Sequence, residues 1–176
     1  TGIKQTGTVR PYPIRPTVPP LQQTCPDNIA GVKTSHSVVE AVPNVSEGCR
    51  SEVIDELAAT IQTVSDVNLL DIHTDPTHNR SVFTLMGPPN AVKDALIALI
   101  GCSLERIDLR NHTGVHPRIG AVDVIPLVPV GTTAMAICVT LATELGHEVA
   151  SRFGLPIYLY GEAARVPERR RLEQVR

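Results

Sequence analysis

The sequence predicts an α/β (α+β) fold with a ferredoxin-like βαββαβ core, extended by an extra helix and strand. In it a mixed sheet carries its helices on one face. Three observations support this. Short β-branched runs alternate with apolar residues at helical spacing between positions 38 and 160. The first six elements follow the split βαβ order of strand, helix, strand, strand, helix, strand. Gly and Pro mark most of the joins.

The first strand is 38–43, with Pro43 at its exit, and 44–48 reads as a turn in which Ser46 or Ser51 caps the first helix. In that helix Val53, Ile54, Leu57, Ala58 and Ile61 recur at helical spacing. Residues 67–72 and 81–86 read as two strands joined by the polar loop 73–80, and the second stops at Gly87-Pro88-Pro89. Pro89 suits a first helical turn, and Val92, Ala95, Leu96, Leu99 and Ile100 form the apolar stripe of a second helix. Residues 121–130 form a fourth strand ended by Gly131. Thr132 or Thr133 is expected to cap a third helix with Cys138, Leu141, Ala142, Leu145 and Val149 inward. Gly154 closes that helix, and 155–160 reads as the last strand.

Residues 1–37 show no such periodicity and carry six prolines between positions 11 and 26. They are expected to form a disordered leader, because they lack the apolar surface that would offset the entropy of ordering. A polyproline ligand is the other reading of this stretch. Residues 38–164 form the folded domain, and 165–176 a charged tail.

At 176 residues the chain is long enough for one domain with a sizeable core. A net charge of −2 argues against general affinity for nucleic acid or anionic membranes, and the absence of Trp argues against base-stacking platforms. The basic residues are 13 Arg and 3 Lys, a skew that suits planar anion recognition or reflects genome composition. Four scattered cysteines without a Cys-x-x-Cys pair point to a reducing compartment, with neither a disulfide framework nor a metal knuckle. No apolar run approaches the 18 or so residues of a membrane span. No secretory signal opens the chain, so the cytoplasm is the expected location.

Two polar loops carry the candidate chemistry. The first holds Asp71, His73, Asp75, His78, Asn79 and Arg80; the second holds His112, His116 and Arg118. His116 precedes Pro117 between Gly114 and Gly120, so the loop presents one imidazole and one guanidinium just before a buried strand. Such a histidine either moves a proton near neutral pH or simply bonds a backbone carbonyl. Arg118 can grip a carboxylate in a fork, as can Arg80, whose alternative is a surface ion pair of small value. Asp75 either orients an imidazole or forms an Asx turn before Pro76. Asp-x-His-x-Asp with further histidines also raises a metal hydrolase, although no established ligand spacing is met.

Four stretches, 39–48, 75–82, 114–126 and 158–164, together resemble the N-terminal subdomain of the glutamate formimidoyltransferases, folate enzymes of histidine breakdown. The similarity runs from about residue 38 to about residue 171. It implies transfer of a formimino group from N-formimino-L-glutamate to N5 of tetrahydrofolate, with no metal. By the same resemblance His116 is the catalytic base, Arg80 and Arg118 hold substrate or folate carboxylates, and Asn79, Asp75 and His78 line or orient the site. Val115 stands where the family usually has Glu. The family's transferase unit includes a second α/β subdomain, with folate between the two. Pairing with such a subdomain, or a homodimer, is therefore expected. The alternative is a non-catalytic relative that uses a folate site as a binding or interaction module.

Overall fold

The computed structural model describes residues 37–115 and 118–175. The expected leader, apart from Ser37, and the candidate base His116 lie outside the described residues. The elements run β1 Val38–Ala41, β2 Asn44–Val45, α1 Ser51–Gln62, β3 Asn68–Asp75, β4 Arg80–Gly87, α2 Pro89–Arg106, β5 Val122–Val124, β6 Leu127–Val130 and α3 Met135–Phe153.

The sheet is antiparallel in every pairing among the described residues, where a mixed sheet was expected. Its order is β5-β2-β4-β1-β6, with β3 also on β4. β4 is the hub: its C-terminal half pairs with β1, its N-terminal half with β2, and its whole length with β3. The first strand ends near Pro43 as read, but Asn44–Val45, read as turn, resumes the ribbon as β2. The strand read over 121–130 divides into β5 and β6 around Ile125-Pro126, because proline offers no N–H to a ladder. The breaks are stitched across, with Val42 N–H on the Pro126 carbonyl (3.0 Å) and Phe83 N–H on the Pro43 carbonyl (3.0 Å).

β4 alternates cleanly, with Ser81, Phe83 and Leu85 buried and Arg80, Val82, Thr84 and Met86 half-buried. The buried face packs under the three helices, where Val39, Phe83 and Leu85 meet Leu57, Ile61, Leu96, Leu99, Leu141 and Val149. The other face bears Glu40, Asn44, Val82 and His73, brought side by side by the registers Glu40–Met86, Asn44–Val82 and His73–Val82.

Several local expectations are corrected. Thr133 does not cap α3, whose N-cap is Ala134; its Oγ1 accepts the Val38 N–H (2.9 Å) instead. Neither serine caps α1. Ser46 Oγ donates to the Gly120 carbonyl (2.8 Å), Ser51 is the first helical residue, and Glu47 instead takes the N–H groups of Cys49 and Arg50, the two residues before the helix. Residues 155–160 run without a strand assignment, because no ladder partner lies beside them among the described residues. They flank an apolar cleft of about 420 Å³ between α3 and the 119–127 stretch. The tail forms three-residue 3₁₀ turns. Pro89 opens α2 and left-handed Gly154 (φ 68°) ends α3, both as the sequence indicated. Among the described residues no helix is long and apolar enough to cross a membrane.

Candidate active site

The site is built where three chain segments meet at one end of the sheet: the β2–α1 turn (46–50), the β3–β4 turn (75–80) and the described residues of a third segment, 112–115 and 118–121. β3 and β4 extend further into the polar loop than the sequence indicated, leaving only 76–79 as a tight turn. Asn79 N–H closes it on the Pro76 carbonyl (3.3 Å), and Asn79 takes a positive φ of 47°, which Asn tolerates better than most residues. Asp75 fastens the same turn, Oδ1 accepting the His78 N–H (3.0 Å) and Oδ2 paired with His78 Nδ1 at 2.5 Å. The two bonds from His78 hold the Asp75 carboxyl below the usual carboxylate range. Asp75 thus serves the turn and orients the imidazole at once.

The Asn79 side chain then ties the three segments together. Its Oδ1 accepts the Gly48 N–H (2.8 Å), while Nδ2 donates to the Thr113 carbonyl (2.9 Å) and lies 3.4 Å from His112 Nδ1. Approach this close demands glycine on both sides. A Cβ on Gly48 would sit 2.5 Å from Arg80 N and 2.6 Å from the Asp75 carbonyl, and one on Gly114 would sit 2.6 Å from the His78 carbonyl. Arg118 adds a second tie, donating from Nη2 to the His78 carbonyl (2.8 Å) and from Nη1 to the Asn79 carbonyl (3.1 Å).

Glu47 anchors the first segment from beneath. It is buried, its Oε1 accepts the N–H groups of Cys49 and Arg50 (2.9 Å each), and its Oε2 takes the Arg50 guanidinium. Burial alone would raise its pKa, but these bonds outweigh it and hold the carboxyl below its ordinary value. Its main-chain carbonyl accepts the Ser81 hydroxyl, and the neighbouring Ser46 N–H reaches the Ala121 carbonyl (2.8 Å).

Asn79, Asp75, His78 and Arg118 are thus brought together, with Arg80 at the adjoining start of β4. The surface ion pair given as the alternative for Arg80 is not seen: among the described residues the half-buried Arg80 makes no side-chain hydrogen bond or ion pair. Val115, 73% exposed, and Arg118 bracket the undescribed pair 116–117. Among the described residues no group of three or more His, Cys, Asp or Glu is placed to hold a metal, and Cys49, Cys102 and Cys138 are free thiols.

Two residues gained importance from the structure. Glu47 looked like turn chemistry, although its spacing to Arg50 was readable as an (i, i+3) pair. His112 was one histidine among several. Its Nε2 is buried without a partner among the described residues, and burial, reinforced by the Arg118 charge, lowers its pKa.

An antiparallel sheet under three helices, with polar loops knotted at one end, suits a domain that presents substrate-handling groups on a rigid frame. The chain belongs to the family described as the formiminotransferase domain, N-terminal subdomain, whose model matches residues 38–176. Glutamate formimidoyltransferase of Thermoplasma acidophilum is 45% identical to it over 140 residues, covering 80% of this chain and 46% of the relative. The Streptococcus pyogenes enzyme of the same name is 42% identical over 139 residues, covering 79% and 46%. Formimidoyltransferase-cyclodeaminase of Gallus gallus is 43% identical over 139 residues, covering 79% and 26%. The chain thus spans about half the length of the first two relatives and about a quarter of the third.

Proposed function

We propose that this chain supplies the N-terminal half of a formimidoyltransferase site, which moves a formimino group from N-formimino-L-glutamate to N5 of tetrahydrofolate. The observation that carries the proposal is the match across residues 38–176 to formiminotransferases. N5 attacks the amidine carbon and becomes cationic in a tetrahedral adduct. His116 takes the N5 proton and returns it to the glutamate nitrogen. The bond from carbon to that nitrogen then breaks, releasing glutamate and 5-formimino-tetrahydrofolate. Residues shown above to be joined shape this step. Arg118 and Asn79, committed to main-chain partners, fix the backbone on both sides of the site. Asp75 directs His78 so that the Nε2 of its neutral ring is the basic nitrogen, a second proton-handling group. Arg80, which takes no ion pair among the described residues, is our choice to grip a carboxylate of glutamate or folate.

We read the sheet face that the described helices leave open, with Glu40, Asn44 and His73, as the side on which a second α/β unit closes over folate, in the cytoplasm. Support comes from the greater length of the relatives. Counting each proline-broken ribbon as one strand gives the ferredoxin-like order, and the stitching bonds across both breaks favour that count. The test is formimino transfer by this chain combined with a second formiminotransferase subdomain. Production of 5-formimino-tetrahydrofolate and glutamate in equal amounts supports the proposal. Loss of formimino-glutamate to water with no folate product refutes it.

A further inference from the structure

We propose that His112 is a proton-operated positioning residue. As the neutral imidazole it holds the Asn79 carboxamide in the arrangement that ties the three segments together, and on protonation it releases that arrangement.

The hydrogen-bond pattern fixes the roles of the atoms. Asn79 Oδ1 is committed to the Gly48 N–H, which turns Nδ2 toward the Thr113 carbonyl and His112 Nδ1. An amide nitrogen only donates, so Nδ1 is the acceptor and the proton of the neutral ring sits on Nε2, a tautomer assigned from the network. That Nε2–H is buried and meets no acceptor among the described residues. A buried donor without a partner lowers stability, so an apolar side chain of similar size would serve packing better. What the imidazole contributes is the Nδ1 lone pair.

Protonation removes that lone pair. Nδ1–H would then face Asn79 Nδ2–H, donor against donor, and the amide could not keep its present set of partners. Turning it over would take Oδ1 from the Gly48 N–H; withdrawing it would take Nδ2 from the Thr113 carbonyl. The balance of charge around the ring acts in the same direction. Arg118 faces it from its own segment, Glu47 and Arg50 face it from the β2–α1 turn, and the β3–β4 turn offers neutral Asn79, with the Asp75–His78 pair next to it. A new imidazolium would add to Arg118 and Arg50 against the single carboxylate of Glu47, which is already bonded to Arg50. Burial first, then the charges of Arg118 and Arg50, place the titration on the acid side of an ordinary histidine, with Glu47 acting the other way. The inference goes beyond the proposed reaction, and no substrate enters its test.

The experiment is a pH titration of the ¹⁵N-labelled full chain by NMR, from pH 8 to pH 5. It follows the His112 ring nitrogens, the Asn79 carboxamide protons and the Gly48 amide. The expected result has three parts: the Nε2–H tautomer above neutral pH, a His112 midpoint below about 6.5, and Asn79 and Gly48 signals that move with that midpoint. Protection of the Gly48 amide, taken against its intrinsic exchange rate at each pH, should fall at least tenfold across it. H112Q offers Asn79 a carbonyl acceptor that does not titrate, so it should keep the neutral-pH signals and abolish their pH dependence. An Nδ1–H tautomer, a midpoint at or above 6.5, or Asn79 and Gly48 signals that ignore the titration would overturn the proposal. So would pH-dependent movement that persists in H112Q, since it would assign the effect to His78. If H112Q fails to fold, the wild-type titration decides alone.

Discussion

Asn79→Ala is expected to destabilise the fold by about 3 kcal/mol. Two well-formed bonds disappear, to Gly48 N–H and to the Thr113 carbonyl, and the longer approach to His112 goes with them. Each bond contributes about 0.5–1.5 kcal/mol, and the half-sheltered Gly48 N–H left behind adds to the loss. The substitution also forces Ala to hold φ at 47°, which costs about 1–2 kcal/mol for a residue with a Cβ. Asn79→Gly separates the two effects. It loses the same bonds but not the backbone strain, less about 0.4–1 kcal/mol for the freer unfolded chain. Gly should therefore be less harmful than Ala by about 0.5–1 kcal/mol. Urea denaturation followed by circular dichroism measures both, read as a shift in midpoint at constant slope. A cost below about 0.5 kcal/mol for Asn79→Ala would place it among ordinary surface changes and refute the knot. A Gly variant no better than Ala would refute the strain component.

The other perturbations rest on the same geometry. Gly48→Ala drives a methyl into the main chain of Arg80 and Asp75 and should cost about 3 kcal/mol or more. Gly131→Ala meets nothing within 4 Å and carries only left-handed strain (φ 63°), so it should cost about 1–2 kcal/mol; equal thermal shifts in the two variants would contradict the close approach. Glu47→Gln keeps an acceptor for the Cys49 and Arg50 amides but removes the charge opposite Arg50, for a loss of about 1–2 kcal/mol at pH 7. Because the folded Glu47 carboxyl sits below its ordinary value, its contribution is present above about pH 4.3 and fades as pH falls through the folded value. The gap between wild type and Glu47→Gln in urea midpoint should narrow accordingly; a gap that widens in acid would contradict this. His112 works on a higher window: its folded pKa is lowered, so the unfolded chain binds the proton more readily and stability declines as pH drops below about 6.5.

The three helices were legible because their apolar stripes repeat at 3.6 residues and their ends carry local punctuation such as Pro89 and Gly154. What escaped was set by distant partners. Thr133 and Ser46 are plausible caps by position, yet their hydroxyls bond backbone 95 and 74 residues away. The resumption of pairing at Asn44–Val45 after Pro43 and the break at Pro126 depend on which neighbour needs an N–H, which a single strand's pattern does not disclose. Residues 155–160 have the composition of a strand, but a strand also requires a ladder partner. In the site, Asp75, His78, Asn79 and Arg118 were chosen for their chemistry, and the structure brings them together. The commitment of Arg118 to two carbonyls and the orphaned nitrogen of His112 arise only from the meeting of three segments.

The central claim is tested most directly by formimino transfer with the second subdomain present, comparing wild type with His116→Gln. Gln cannot accept the N5 proton at neutral pH, so turnover should fall by about two to four orders of magnitude. KM for N-formimino-L-glutamate and the thermal midpoint should stay near wild-type values. Turnover within about threefold of wild type, less than general-base catalysis contributes, would contradict the account and move the base to His78.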